Sequence, residues 1–270
     1  MCSGSKIGML EEIKTLPPLP DSVIKIQELC MKSDTNIDEL SRVIEHDPML
    51  SANILKAVNS PLYGMSREIS SIPQAIMLFG IAMIRGFAAA SAIKKTMAID
   101  LSPYGTTIDA LTTVSSVQSA LAREWYRQVD KSMLPLLQSA AFLMELGKLA
   151  VSMNILKRGN SDLFASEIAQ CGTSIEAIER TYLGSSGYEI SAAMFEHWNF
   201  ESALIDALRE VSNPSTQNPY AKVLGVIVHA ANIKGVFTEE GMMEALRLIE
   251  HFGLNKTAFE EAVSKVKSIL

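Results

Sequence analysis

From Ser132 to Ile155 the chain reads SMLPLLQSAAFLMELGKLAVSMNI, and apolar residues cover most of the circumference of the helix this run predicts. A helix without a broad polar face has to be enclosed by other helices, so the run predicts the central strut of a bundle. Its polar residues Gln138, Glu145, Lys148 and Ser152 follow one another at spacings of 7, 3 and 4, which gathers them on one narrow stripe. The stripe faces either solvent or an internal cleft. On a solvated edge, Glu145 and Lys148 would pair three residues apart for only a few tenths of a kcal/mol.

The rest of the pattern is also helical. A first helix around Lys6 to Lys14 ends at LPPLP, Leu16 to Pro20, where successive prolines set an extended corner. Val23, Ile26, Leu29 and Cys30 give the next helix its apolar face, through about Met31. Asn36 and Glu39 form a capping box for a short helix from Ile37 to Glu45, with Ile37, Leu40 and Ile44 inward. Asp47 caps a helix whose first residue is Pro48, where proline's missing N–H costs nothing, and Asn59-Ser60-Pro61 ends it. A loop with Tyr63 and Gly64 leads to Ser71, which boxes with Gln74. Gly80 breaks the helix after Phe79, and Ile81 to Lys95 continues as another. Arg85 interrupts an apolar run and needs a carboxylate or carbonyl partner.

Asp100 to Thr106, DLSPYGT, is a polar loop and the best boundary, separating an N-terminal helical lobe, 1–100, from a second lobe, 101–236, on which C-terminal helices, 237–270, are expected to pack. Beyond it the pattern predicts helices at Thr107 to Val129, along the strut, at Asp162 to Gln170, at Ser174 to Leu183 (capped by Thr173 with Glu176) and at Gly187 to Trp198 (Ser186 with Glu189). Helices at Glu201 to Val211, Pro219 to Lys234, Glu239 to Phe252 and Lys256 to Leu270 complete an all-α reading, with no strand pattern and no repeat.

Composition narrows the function classes. Of the 270 residues 48% are hydrophobic and 6% aromatic, with 14 Met, which suits a helical core. Net charge is −6, and basic residues occur in isolated pairs such as Lys94 with Lys95, which argues against nucleic acid as a direct partner. Cys2, Cys30 and Cys171 are too few and too dispersed for a disulfide framework or thiolate metal site, which fits a reducing cytoplasm. The start MCSGSKIGMLEEIK lacks a signal-peptide core, and the charge-free run Ile69 to Ile84 is shorter than the roughly 20 residues of a membrane span and broken by Pro73. The expectation is a soluble protein without membrane or cofactor.

Three motifs in order, LPPLP, IEHDPMLSANILKAVNSPLYG and ISSIPQAIMLFG, resemble the HDOD family of bacterial signalling proteins, over roughly Leu16 to Ile233. The resemblance implies an N-terminal helical lobe joined to a bundle related to the HD-type metal-dependent phosphohydrolases. In those hydrolases the central helix carries a His-Asp pair, often within LLHDIGKL. Here FLMELGKLA stands in that place, with Met144 for the His and Glu145 for the Asp. The other ligand positions fall near Val114, Gly187, Val211, Ser212 and Asn232. Hydrolytic metal sites need several imidazole and carboxylate ligands, and no small shift in this alignment restores a set of histidines.

The literal His46-Asp47 pair precedes a proline at a helix start, so Asp47 reads as a cap with Pro48 behind it. His197, His229 and His251 are isolated, and a lone His is more often a packed side chain than a ligand. Asn59, Ser60 and Tyr63 match the family's N-S-x-x-Y signature, which either anchors a loop or presents a recognition surface. The expectation is a non-catalytic regulatory module working through a signalling protein partner, without catalytic or metal residues. The alternative is a residual phosphohydrolase, or a sensor of a small phosphorylated ligand in the degenerate cleft.

Overall fold

The computed structural model describes residues 3–30, 32, 35–97, 99–170 and 174–270. Cys2, Met31, Cys171 and Thr173 lie outside them. Pro17, Pro18 and Pro20 hold a non-helical corner between α1 (Ser3–Lys14) and α2 (Asp21–Cys30). Val23, Ile26 and Leu29 form the buried face of α2, while Cys30 is half-buried and its thiol is pushed up to about 11 by burial. In α3 (Ile37–Glu45) the Asn36 cap accepts the Asp38 N–H at 2.8 Å rather than that of Glu39. Leu40 and Ile44 are buried, but Ile37 is 37% exposed. As the first helical residue, Ile37 projects back past the helix start, where no neighbouring turn covers it.

Asp47 begins α4 (Pro48–Val58) with a bifurcated role. Its Oδ1 accepts the Leu50 N–H at 3.0 Å and its Oδ2 the Ser22 hydroxyl at 3.2 Å, which ties α4 to α2. His46 ends α3 with Nδ1 2.6 Å from the Arg42 carbonyl. Asn59 closes α4 and pins the following loop at both ends: Nδ2 donates to the carbonyls of Leu55 (2.9 Å) and Ile69 (2.8 Å), and Oδ1 accepts the Ile69 N–H at 2.8 Å. Between these anchors a 3₁₀ turn, Pro61–Tyr63, forms as the Ser60 carbonyl accepts the Tyr63 N–H. Tyr63 is buried edge-on against Phe79 and Phe87.

Helix α5 (Ile72–Thr96) is broken by Gly80, whose φ of +77° is open to glycine and strained for other residues. Past the break, buried Arg85 pairs with Glu201 and stacks over Phe200 at 5.2 Å. The segment expected to be a polar boundary loop is partly interior: it contains a 3₁₀ turn, Ser102–Tyr104, and buries Leu101 and Tyr104.

Helix α6 (Ile108–Val129) then leads to the strut, which is not a single α-helix. It splits into α7 (Leu134–Leu143) and α8 (Gly147–Lys157), joined by a 3₁₀ turn at Met144–Leu146. A side chain inserted in the backbone ladder accompanies the change of pitch: Ser191 Oγ donates to the Met144 carbonyl and accepts the Gly147 N–H, both at 2.7 Å.

The chain continues through α9 (Ser161–Ala169), α10 (Ile175–Leu183), α11 (Gly187–His197) and α12 (Ser202–Arg209). Ser174 caps α10, and a reciprocal Ser186–Glu189 box opens α11. Helix α13 (Pro219–Ala230) stops four residues short of the expected Lys234. Asn232 explains the end: its amide turns back to the Val228 carbonyl (3.1 Å) and its side-chain oxygen accepts the Lys234 N–H (2.8 Å). The turn makes a two-stranded hairpin that the hydrophobic pattern does not predict, β1 (Ala231–Asn232) antiparallel to β2 (Gly235–Val236).

Helices α14 (Glu239–Phe252) and α15 (Lys256–Lys267) finish the fold, with α15 along α6 and Phe259 against Trp125 at 4.9 Å. One apolar cluster runs from Met9 to Val266, so all three sequence segments share a core. Two stretches, Ile72–Thr96 and Lys131–Lys157, have the length and apolarity of membrane spans, yet 67% and 83% of their apolar windows is buried within the fold. They are core helices.

Losing the Asp47 cap should cost about 1 kcal/mol. Asn59→Ala should cost more, about 2–3 kcal/mol, because it strands both the carbonyl and the N–H of Ile69. Urea melts of the two variants test this order, and an Asn59→Ala variant as stable as wild type would remove the anchoring role.

Candidate functional site

The polar stripe of the strut faces inward. Gln138 is 7% exposed, and Glu145, Lys148 and Ser152 are 1% or less. The solvated-edge alternative is thereby corrected: Glu145 and Lys148 form an interior ion pair, with Lys148 Nζ 2.6 Å from Glu145 Oε2. The stripe therefore meets neighbouring helices and not water.

A second carboxylate completes the cluster. Glu179 of α10 lies 3.8 Å from Lys148 Nζ and is fully buried. Its Oε1 accepts the Tyr104 hydroxyl at 2.7 Å, and its Oε2 the Gly187 N–H at 2.5 Å. Gln118 of α6 donates through Nε2 to Glu145 Oε1 (2.7 Å) and to the Ala231 carbonyl (2.8 Å). The Tyr188 ring lies under the ammonium, 4.5 Å from its centroid. Together α6, the α7–α8 joint, α10, the start of α11 and the Ser102–Tyr104 turn supply the groups around one cation, and the hairpin holds Gln118 in place.

The electrostatics follow from this crowding. Burial alone would lower the Lys148 pKa, but Glu145 and Glu179 outweigh it and leave the ammonium above its ordinary 10.5. Burial pushes the Glu179 carboxyl up, opposed by Lys148, the Gly187 N–H and Tyr104. Tyr104 and Tyr188 are raised well above the ordinary phenol range, by burial first and by the nearby carboxylates second. Buried charges of this kind are tolerable only when compensated: the ammonium has both carboxylates as ion-pair partners, and Gln118, Tyr104 and the Gly187 N–H hydrogen-bond the carboxylates.

The aligned hydrolase positions distribute unevenly around this cluster. Glu145 belongs to it. Met144 is buried beside it, with its carbonyl held by Ser191. Gly187 presents its N–H to Glu179, and a Cβ added there would stand 2.9 Å from Glu179 Oε1. Val114 is buried one turn before Gln118 on α6, and Asn232 follows the Ala231 carbonyl that Gln118 holds. Val211 and Ser212 follow the end of α12, where the Val211 carbonyl packs over Gly225 of α13. Asp47, Pro48, Asn59, Ser60 and Tyr63 lie on the other elements already described, around α4 and its exit loop.

Sequence reasoning does not single out Gln118, Glu179, Tyr104 or Tyr188. Two of them leave a signal: Glu179 lies four residues from both Ile175 and Leu183 in the apolar stripe of α10, and Gln118 four residues after Val114. Tyr104 leaves none, since its loop reads as polar.

A metal ion does not fit these residues. Its positive charge would have to share Glu145 and Glu179 with an ammonium 2.6 and 3.8 Å away. Among the described residues no group of three or more His, Cys, Asp or Glu side chains is placed to hold an ion. His197 and His251 instead contact the carbonyls of Leu16 and Pro214.

The HDOD domain profile matches residues 16–214. The chain belongs to the HDOD family. Its fold is shared with several solved structures. A candidate phosphohydrolase from Shewanella amazonensis SB2B superimposes with a TM-score of 0.70 at 20% identity, covering 98% of this chain and 94% of that one. An HDOD domain protein of unknown function from Geobacter sulfurreducens gives 0.62 at 16% identity, with 99% of both chains covered. A candidate signal transduction protein from Marinobacter aquaeolei VT8 gives 0.71 at 21% identity, covering 96% of this chain and 59% of the other. An uncharacterized protein of Treponema pallidum (strain Nichols) is 28% identical over 74 residues, which span 27% of this chain and 14% of that protein.

Replacing Lys148 with Met leaves two interior carboxylates without their cation and should cost about 3–5 kcal/mol near neutral pH. In the wild type the folded Lys148 pKa exceeds the unfolded one, so its contribution is complete below about pH 10.5 and is lost as pH rises through the folded value. Glu179 is raised as well, so its own contribution is complete below about pH 4.5 and declines as pH rises through its folded pKa. Removing Lys148 enlarges that decline. Urea melts should therefore show a smaller deficit for Lys148→Met at about pH 5 than at about pH 8. An equal deficit at both would show that the ammonium does not compensate these carboxylates.

Proposed function

We propose that this HDOD protein is a non-catalytic regulatory module that acts through contact with a signalling protein. The carrying observation is the Lys148 ammonium wedged between Glu145 and Glu179 at the place where the related hydrolases carry their metal-binding pair. A protein cation there supplies fixed charge balance but neither an open coordination position nor a polarised water. The fold likeness to a candidate signal transduction protein supports the regulatory half of the reading. The alternative, hydrolysis or ligand sensing within the degenerate cleft, requires space at the triad, and the side chains of Tyr104, Gln118 and Tyr188 occupy it.

Elemental analysis of the purified protein should give well under one Fe, Mn or Zn per chain, and phosphomonoesters and cyclic dinucleotides should remain intact. About one metal per chain, with activity lost on chelation, would overturn the non-catalytic reading. Met144→His with Glu145→Asp should not create a metal site, because Lys148 remains and Gly187 contributes no ligand. Micromolar or tighter Mn or Fe binding by that double variant, measured calorimetrically, would count equally against it. Cross-linking in the source cell tests the second half: a reproducible protein partner is expected, and recovery of the chain alone would remove it.

A further inference from the structure

The N-S-x-x-Y loop borders a cleft that the buried triad does not involve. Tyr63, Gly64 and Met65 form one wall, Arg123 and Arg127 of α6 a second, and Lys265 and Ile269 at the C-terminal end a third, enclosing about 400 Å³. That volume is in the range of small-molecule sites. The loop and the C-terminal wall meet at one end, where a Cβ on Gly64 would be 3.8 Å from Ile269 Cδ1.

Three cations line this cleft, and all three contact the buried carboxylate of Glu124 on α6. Glu124, 2% exposed, accepts Arg123 Nη2 on Oε1 (3.1 Å), and both Arg127 Nε (3.1 Å) and Lys265 Nζ (2.8 Å) contact its Oε2. Three positive charges and one negative charge leave a formal +2, in a chain whose total is −6. Burial pushes the Glu124 carboxyl up, but Lys265, Arg123 and Arg127 together hold it below the usual carboxylate range, so it stays ionised.

The pairing fixes the cations without exhausting them. Arg123 Nη2 also donates to the Tyr63 carbonyl at 2.7 Å, and its guanidinium lies over the Tyr63 ring at 5.6 Å. Arg127 contacts Glu124 through Nε, which leaves its two terminal nitrogens for a second acceptor. Its side chain is 46% exposed, and that of Lys265 45%. An arginine held at Nε with its outer edge free is pre-organised for an oxyanion, and the adjacent lysine adds a point charge. The body of the ligand would rest on Met65 and Ile269, which give the cleft its apolar side.

We propose that this cleft binds a small molecule through a phosphomonoester or pyrophosphate group, gripped by Arg127 and Lys265 against the N-S-x-x-Y loop. The ligand bridges the HDOD core to α15, which lies beyond the matched residues 16–214. The site is independent of the triad, so it stands or falls apart from the non-catalytic reading.

Inorganic pyrophosphate is the probe, titrated into the full chain at low ionic strength and followed by calorimetry and amide chemical shifts. Saturable binding at about 1 mM or tighter is expected, with the largest shifts at Gly64, Arg127 and Lys265. Arg127→Gln with Lys265→Gln should weaken it by about tenfold or more, while Lys14→Gln with Lys256→Gln, an equal change of net charge at exposed positions, should leave it within about twofold. Ile269→Glu keeps every Glu124 pair and sets a carboxylate across the cleft, so it should also weaken binding by about tenfold or more. Nucleoside monophosphates compared with their nucleosides then separate ligands read by the phosphate from those read by the base. Absence of saturable pyrophosphate binding, equal losses in the two charge-matched pairs, or an unaffected Ile269→Glu variant would overturn the proposal.

Discussion

A lysine that no water reaches has to be held by something, and five elements of this protein are arranged to hold Lys148. Glu145 comes from the turn just before it, Glu179 from α10, the Tyr188 ring from α11, and Gln118 of α6 and Tyr104 orient the two carboxylates. Each of these groups is costly to bury alone and affordable in the set, which makes the cluster all-or-nothing. The tight backbone geometry nearby serves the same end. Gly147 lets α8 come so near α11 that an added Cβ would lie 2.0 Å from the Gly187 carbonyl, and Ser191 repairs the hydrogen bonds that the 3₁₀ turn disrupts.

A polar layer inside a helical bundle can be neutralised in more than one way. The helical scaffold needs a polar layer where the strut crosses α6 and α10, and a metal with its ligands is one way to neutralise such a layer. An internal ion pair with hydrogen-bonding neighbours is another. The second solution, the one this chain has, closes the joint to solvent, with Glu145, Lys148 and Glu179 exposed by 1% or less.

Much of the fold was legible because its signals are local. The Asp47 cap, the Ser186–Glu189 box and the Gly80 break act within a turn or two of their own positions, and they stand where the residue types indicate. What escaped was set by distant contacts. The strut reads as one helix until Ser191, 44 residues after Gly147, inserts into its ladder. The end of α13 depends on how Asn232 spends its side-chain amide, and both helix and hairpin are compatible with the apolar pattern before it. At the candidate site, the family likeness points to Met144, Glu145 and Gly187, which do lie together, yet the partner that gives Glu145 its meaning is Lys148, next to Glu179. A stripe of four polar residues cannot by itself declare whether it faces water or a second carboxylate.

Gly187 carries a consequence for what this sequence can become. Its N–H is claimed by Glu179, and any side chain there begins 2.9 Å from that carboxylate. Placing an imidazole at this position therefore requires Glu179 to retreat first, and its retreat would take from Lys148 one of its two carboxylates. The three positions are in this sense interlocked: a change at Gly187 is tolerated only together with changes at Glu179 and Lys148.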